Sequence, residues 1–248
     1  MNLRTLFLAW QDQVTTREWY PVGRLDADIN EPFFRFRYIY GAKRAMEQAR
    51  FAPLVEFPSF DQEYTSKELF PLFKNRILNR SRPEFEDYLK SFDLCDEADP
   101  IEILSINGGN RVTDSYEVFP KIRKEADGSF TCRFFLHGTR HINKPAMSRL
   151  RKLEEDEPLY VTLELTNPVS KVAVQIQTLD YHMIGWSPRY LVYDLTKAMK
   201  EHPEYKARVL KIYTPDSFSW MQRILIEMSG SWTKHKPMSG KEFQTLVH

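Results

Sequence analysis

The stretch Leu159–Arg189, LYVTLELTNPVSKVAVQIQTLDYHMIGWSPR, decides the fold of the C-terminal half of this chain. Apolar residues alternate with polar ones, or run together, in three short segments at 159–165, 171–178 and 181–186. Asn167 and Pro168 separate the first two segments, because Asn bonds its own backbone and Pro fixes φ and lacks a donor. A second break falls near Leu179-Asp180. Short period-two segments between such breaks predict a small antiparallel sheet.

The same stretch resembles the central part of a HIRAN domain, which carries an Asn-Pro turn and, further on, a Gly-aromatic-x-Pro-basic motif. The matching residues are Leu163, Asn167, Pro168, Ala173, Val174, Gly185, Trp186, Pro188 and Arg189. Upstream, the segment 138–141 (Gly-Thr-Arg-His) resembles the Gly-x-Arg-aromatic turn that opens the same module. The family has an aromatic residue and an Asp after Asn-Pro, where this chain has Val169 and Ser170. The resemblance covers about residues 130–230.

The resemblance implies an OB-like β-barrel with a packed helix, which would hold a DNA end in a groove. Barrels of this kind bind single strands by base stacking combined with phosphate contacts. Arg140 and His141 occupy the turn that matches the family's Arg-aromatic pair. The residues expected to contact nucleic acid are Arg133, His137, Arg140, His141, Lys144, Arg149, Arg151, Lys152, Ser170, Lys171 and Arg189.

A block of basic residues supports this expectation independently of the resemblance. Between Gly128 and Leu153 the chain has six Lys or Arg residues and no acid. Clustered cations displace counterions from a nucleic-acid backbone, so the block predicts a phosphate-contacting surface. The alternative is a solvated loop that folds back on the acidic run 154–157. Interleaved aromatic residues would favour nucleic acid, but of Phe134 and Phe135 at least one is expected in the core.

The first 125 residues predict a separate α+β domain. Alternation over 33–40 indicates a strand, 42–50 a short helix, and 66–79 a longer helix that Pro71 must begin or kink. This half resembles the N-terminal subdomain of HipA-type toxin kinases. The resembling segments are 22–25 (VGRL), 34–38 (FRFRY), 53–54 (PL) and 70–78 (FPLFKNRIL). The chain stops before a kinase core could begin, so the resemblance does not imply kinase activity.

Composition and motifs indicate a globular protein without catalytic machinery. Of the 248 residues 42% are hydrophobic and 14% aromatic, and the net charge is only +1, so any basic surface must be local. No P-loop, GxGxxG, nucleophile elbow or HExxH motif is present. Cys132, His137 and His141 lack a fourth ligand for a structural zinc site. No metal or cofactor is expected, and the absence of a leader or a long apolar run predicts a cytoplasmic protein.

The sequence therefore predicts an α+β protein with two domains: a HipA-like domain at 1–125 and a HIRAN-like barrel at 126–248. The expected function is non-enzymatic binding of single-stranded or end-bearing DNA. The alternative is a protein-interaction subunit or an antitoxin-like partner in a larger assembly of the defence or toxin-antitoxin type. That alternative depends on the aromatic-rich first half, which offers more apolar surface than a small meander usually hides. No membrane contact is expected.

Overall fold

The computed structural model describes residues 3–109, 111, 113–213 and 223–247. They divide into two compact units. The first unit takes Met1–Leu89, Leu94–Lys121 and Met238–His248, and the second takes Lys90–Asp93 and Ile122–Pro237. Each unit contains one antiparallel sheet and short helices, which confirms the α+β class. The segment Met238–His248 belongs to the first unit, whereas a single division at residue 125 would assign it to the second.

The sheet of the first unit has five strands in the order β4-β3-β2-β1-β5. The strands are β1 (Arg4–Gln11), β2 (Trp19–Asp28), β3 (Phe33–Tyr38), β4 (Glu63–Ser66) and β5 (Tyr116–Pro120). The helices in the first half of the chain are α1 (Tyr40–Ala49), α2 (Pro71–Lys74), α3 (Phe85–Lys90) and α4 (Pro100–Asn107). The predicted strand at 33–40 and helix at 42–50 correspond to β3 and α1.

The predicted helix at 66–79 is wrong in its extent. Only the four residues of α2 are α-helical, and Ser66 ends strand β4 instead. Pro71 lies in the first turn of α2, where its missing N–H costs nothing, and its ring prevents the helix from extending upstream.

The aromatic residues of the first unit fill its own core. Phe36 and Phe57 stack with their ring centroids 3.9 Å apart, and both are fully buried. The Tyr38 hydroxyl donates to the Phe57 carbonyl at 2.8 Å and accepts from the Leu54 amide at 2.7 Å, so its polar atom is satisfied inside that core. None of the described aromatic residues of the first unit is among the exposed large hydrophobic residues, whereas the aliphatic Val14 and Val55 are 88% and 100% exposed.

The second unit contains a six-stranded antiparallel sheet in the order β6-β11-β10-β7-β8-β9. The strands are β6 (Ser129–Phe135), β7 (Pro158–Asn167), β8 (Lys171–Thr178), β9 (Met183–Trp186), β10 (Lys206–Tyr213) and β11 (Arg223–Ser231). Two helices accompany it, α5 (Lys144–Leu150) and α6 (Arg189–Ala198). The three segments predicted from Leu159–Arg189 form β7, β8 and β9, paired antiparallel in sequence order, as expected.

The two edge strands of this sheet are linked by one isolated bridge. His137, two residues beyond β6, and Trp186, the last residue of β9, exchange two backbone hydrogen bonds of 3.0 Å. Gly138 follows with φ +71°, and a Cβ there would lie 2.5 Å from the Trp186 ring. Only glycine tolerates this combination of a left-handed backbone and a close aromatic ring.

Helix α6 packs against β8 through the buried residues Leu191, Leu195 and Ala198, which recur at helical spacing. None of the described helices is long and apolar enough to span a membrane.

Candidate nucleic-acid interface

Two of the six cations in the basic stretch are engaged by acids. The Arg133 Nε lies 3.1 Å from a Glu227 oxygen, and its guanidinium lies 3.5 Å from Asp93. Arg149 forms an ion pair with Glu157 and a 3.1 Å pair with Asp180. Glu157 belongs to the acidic run, so the alternative interpretation, in which the acidic run folds back on the basic stretch, is correct for Arg149.

The remaining four cations are exposed, and no ion pair joins them to any residue in the described part of the chain. They are Arg140, Lys144, Arg151 and Lys152. The Arg140 Nε donates to the Nε2 of the next residue, His141, at 3.0 Å. The structure therefore leaves a free positive charge on the short 3₁₀ turn at Thr139–His141, on α5 and on the two residues after it.

Helix α5 determines where these cations point. Asn143 caps it, accepting the Ala146 amide on its side-chain oxygen at 2.8 Å. Ala146 and Leu150 are buried, which turns the opposite face to solvent. Lys144 and Arg151 are seven residues apart, or about two turns, so they share that outer face.

The acidic run does not neutralise the free cations. Asp156 pairs with Arg208, and Glu155 lies 3.2 Å from Lys211, while Glu157 is held by Arg149. These acids are therefore matched by cations from β10 and α5, and the outer face of α5 keeps its charge.

The two histidines of the site differ. His141 is exposed, whereas His137 is largely enclosed at the bridge to Trp186. Burial, with the positive charges of Arg189 and Arg223, lowers the pKa of His137 from 6.5 to about 4. At neutral pH its imidazole is uncharged, so it adds no positive charge to the basic stretch.

Ser170 and Arg189 line a groove of about 440 Å³ between α6 and the β7–β8 hairpin. The lining residues are Leu163, Leu165, Ser170, Val172, Arg189, Val192, Tyr193 and Thr196. Ser170 is fixed to Asn167, whose side-chain oxygen accepts both its amide and its hydroxyl at 3.0 Å. Lys171 and Arg189 are exposed, and neither pairs with an acid among the described residues.

Sequence reasoning missed a polar pair on the other side of the same hairpin. The Trp186 Nε1 donates to a Glu164 oxygen at 2.7 Å, and the Asn167 amide donates to the same oxygen at 2.9 Å. Burial raises the pKa of Glu164, but hydrogen bonds from Trp186, Asn167 and Gln175 outweigh it, so the pKa is lowered overall. The carboxylate therefore anchors the indole to the Asn-Pro turn.

Two of the predicted contacts mark the opposite ends of β8. Ser170 immediately precedes the strand, and Asp180, the partner of Arg149, lies two residues beyond its end. Seven steps of ~3.3 Å separate Lys171 from Thr178, so the two ends lie about 23 Å apart.

The aromatic residues near the basic stretch in sequence do not serve as stacking surfaces. Phe134 is buried, and the Phe135 ring is covered by the Arg223 guanidinium at 4.0 Å. Two tyrosines from elsewhere in the chain, Tyr160 and Tyr181, lie exposed near Arg149 instead. No local sequence pattern joins them, because they come from different elements.

No group of three or more His, Cys, Asp or Glu side chains suited to a metal ion occurs among the residues that the structure describes. Cys132, His137 and His141, which the sequence places within ten residues of one another, do not form such a group. Burial raises the pKa of the Cys132 thiol to about 12, which opposes the thiolate form that metals bind.

No family model matches the chain, and no curated protein matches it. Two solved structures are similar in fold to part of it. The HIRAN domain of human HLTF is 15% identical to this chain, with a TM-score of 0.33. The match covers 44% of this chain and 84% of the HLTF chain. A protein from Lactobacillus plantarum is 15% identical to this chain, with a TM-score of 0.32. The match covers 41% of this chain and 98% of the Lactobacillus protein's chain. The resemblance of the first half to HipA-type kinases finds no support in these comparisons.

Proposed function

We propose that the second unit is a non-enzymatic module that binds single-stranded or end-bearing DNA. The observation that carries the proposal is the exposed, unpaired set Arg140, Lys144, Arg151 and Lys152. In a chain with a net charge of +1, four such cations within thirteen residues are a local excess that suits a phosphate backbone.

We infer that the sheet forms an OB-like barrel. The isolated bridge between His137 and Trp186 links the ends of the two edge strands, which supports closure of the sheet. Closure removes the open edges that would otherwise pair with other chains. The rim of such a barrel presents loops, and the turn at Thr139–His141 begins at this closing bridge.

The length of β8 favours a strand over a compact ligand. A ligand that reaches both Lys171 and the turn after Thr178, where Asp180 holds Arg149, must extend about 23 Å along β8. Single-strand-binding barrels cover roughly 4–16 nucleotides, which is long enough for that path. We therefore place the backbone of the bound strand on the α5 cations and its end near Ser170, Lys171 and Arg189.

The test is a fluorescence-anisotropy titration of a labelled single-stranded oligonucleotide. The variant replaces Arg140, Lys144, Arg151 and Lys152 by Ala, and we expect its affinity to fall for every sequence tried. The matched control removes the same charge from the first unit by replacing four exposed cations that form no ion pair within the described ranges: Arg17, Lys43, Lys67 and Arg82. Equal affinity of the two variants would contradict the proposal.

The groove beside α6 favours a second candidate, a protein-interaction module. Leu165 and Val169 are 67% and 75% exposed at the hairpin end, and the groove wall is mainly aliphatic. Lys171 and Arg189 at its margin would suit a peptide that carries acids beside its apolar residues. Selection from a displayed peptide library tests this candidate: enrichment of acidic-apolar peptides that is lost in Leu165→Glu would support it, and no enrichment would oppose it.

A further inference from the structure

We propose that Tyr160 and Tyr181 form a base-stacking platform for single-stranded nucleic acid, next to the cations of α5. This inference rests on the proposed function and specifies where the bases of the bound strand lie. Neither tyrosine belongs to the motifs that the sequence analysis identified.

The two rings are stacked and open to solvent. Their centroids are 5.6 Å apart with 23° between the ring planes. Tyr160 is 42% exposed on β7, and Tyr181 is 76% exposed in the turn between β8 and β9. A pair that served only to pack the hairpin would bury its rings, whereas this pair keeps much of its aromatic surface available to a ligand.

Tyr181 is held in an unfavourable backbone conformation. Its φ is +64°, a left-handed value that is rare for a bulky residue. The turn enforces it: the Tyr181 amide donates to the Thr178 carbonyl at 2.9 Å, and Thr178 and His182 exchange a 3.0 Å and a 3.1 Å bond. A strained conformation that presents an exposed ring is the kind of feature that function maintains.

An ion pair connects the platform to the basic helix. Arg149, in the last turn of α5, donates its Nε to both oxygens of Asp180 at 3.1 Å. Asp180 immediately precedes Tyr181, and Arg151 and Lys152 immediately follow the end of α5. The contact between Arg149 and Asp180 therefore joins the stacking surface to the end of α5, where two of the free cations lie.

The nearby acids leave this surface open to a polyanion. Glu157 and Asp180 share Arg149, Asp156 pairs with Arg208, and Glu155 pairs with Lys211. Of the acidic run, only Glu154 has a side chain without a cation partner among the residues described. Aromatic rings beside free cations combine the two contacts by which proteins hold single strands regardless of sequence.

The experiment compares Tyr181→Leu with Tyr181→Phe in the full chain, using an oligothymidylate within the ~4–16-nucleotide range of such sites. Leucine keeps the apolar volume and removes the π-face, whereas phenylalanine keeps the ring. We expect Leu to weaken binding about 5- to 150-fold, the usual effect of losing one stacked base, and Phe to leave it nearly unchanged. Denaturant unfolding of both variants controls for a change in stability.

A second arm uses an oligonucleotide of the same length in which abasic spacers replace the bases. We expect the wild-type protein to bind it as weakly as Tyr181→Leu binds the normal oligonucleotide. If the wild type binds neither oligonucleotide, the proposed function itself fails. If the wild type binds both equally well and Tyr181→Leu matches it, DNA binding stands and the platform is overturned.

Discussion

At the scale of single residues, the turn after Asn167-Pro168 shows the clearest departure from the family that the sequence resembles. The family pattern has an aromatic residue and an Asp after Asn-Pro. These two residues suit a DNA end, because the ring can stack on the terminal base and the carboxylate can accept a hydrogen bond from the terminal hydroxyl. Val169 has no π-face, and its side chain is largely exposed. The Ser170 hydroxyl already donates to Asn167, so it meets a ligand as an uncharged acceptor.

This difference predicts weak discrimination between DNA ends. A carboxylate would repel a 3′-phosphate, whereas Ser170 beside Lys171 does not, and a neutral acceptor binds a hydroxyl about half as strongly as a charged one. We expect oligonucleotides ending in a 3′-hydroxyl and in a 3′-phosphate to bind with affinities within a few-fold of each other. Paired titrations measure this, and a clear preference for the hydroxyl would show that other residues read the end.

His137 leads to a prediction about pH. Its pKa in the folded protein, about 4, lies below the ordinary 6.5, so the unfolded chain takes up the proton first as the pH falls. The contribution of the neutral His137 to the free energy of unfolding is therefore fully present above pH 6.5 and is lost as the pH falls from 6.5 to 4. We expect the free energy of unfolding to fall from pH 7 to pH 5 by about 1–2 kcal/mol more in the wild type than in His137→Gln. If denaturant titrations show that the free energy of unfolding falls equally in the wild type and in His137→Gln between pH 7 and pH 5, the prediction is contradicted.

At the scale of elements, the bridge between His137 and Trp186 depends on Gly138. A side chain there would require a left-handed backbone and would meet the Trp186 ring. We expect Gly138→Ala to lower the free energy of unfolding by about 1–3 kcal/mol. The control is Gly240→Ala, where φ is −59° and the nearest atom, on Glu242, is 3.7 Å from the added Cβ. Equal stability of the two variants would show that the bridge does not depend on the glycine.

The elements also show what a sequence can predict. The strands of Leu159–Arg189 were predicted correctly because alternation and the Asn-Pro break are local signals. The helix at 66–79 was not, because its apolar spacing did not reveal that Ser66 pairs with Phe34 as part of β4. The basic stretch predicted a cluster of charge, but only the fold shows that Arg133 and Arg149 are held by Glu227 and Asp180. These partners are 94 and 31 residues away in sequence.

At the scale of the whole molecule, the C-terminal segment closes the first unit. The Leu246 amide donates to the Tyr38 carbonyl and the Tyr40 amide to the Gln244 carbonyl, both at 2.9 Å. The Phe243 ring lies 4.8 Å from that of Phe7. Such pairing across about 200 residues leaves no local pattern, which is why the sequence indicated only two consecutive domains.

The fragment 1–125 should therefore be incompletely stabilised. Losing the buried Phe243 alone removes contacts usually worth about 3 kcal/mol or more. We expect a synthetic peptide of residues 238–248, added in excess, to raise the melting temperature of the fragment by mass action. The same peptide with Phe243→Ala should have little effect. A cooperative fragment that neither peptide stabilises would contradict this role of the segment.

The central claim is that the free cations of α5 and its preceding turn contact phosphates, and the salt dependence of binding tests it most directly. Each phosphate contact on a single strand contributes about −0.7 to the slope of log affinity against log salt concentration. We predict that replacing Arg140, Lys144, Arg151 and Lys152 by Ala flattens the slope by about 3. The control that replaces Arg17, Lys43, Lys67 and Arg82 should keep the wild-type slope. An unchanged slope in the first variant would contradict the claim.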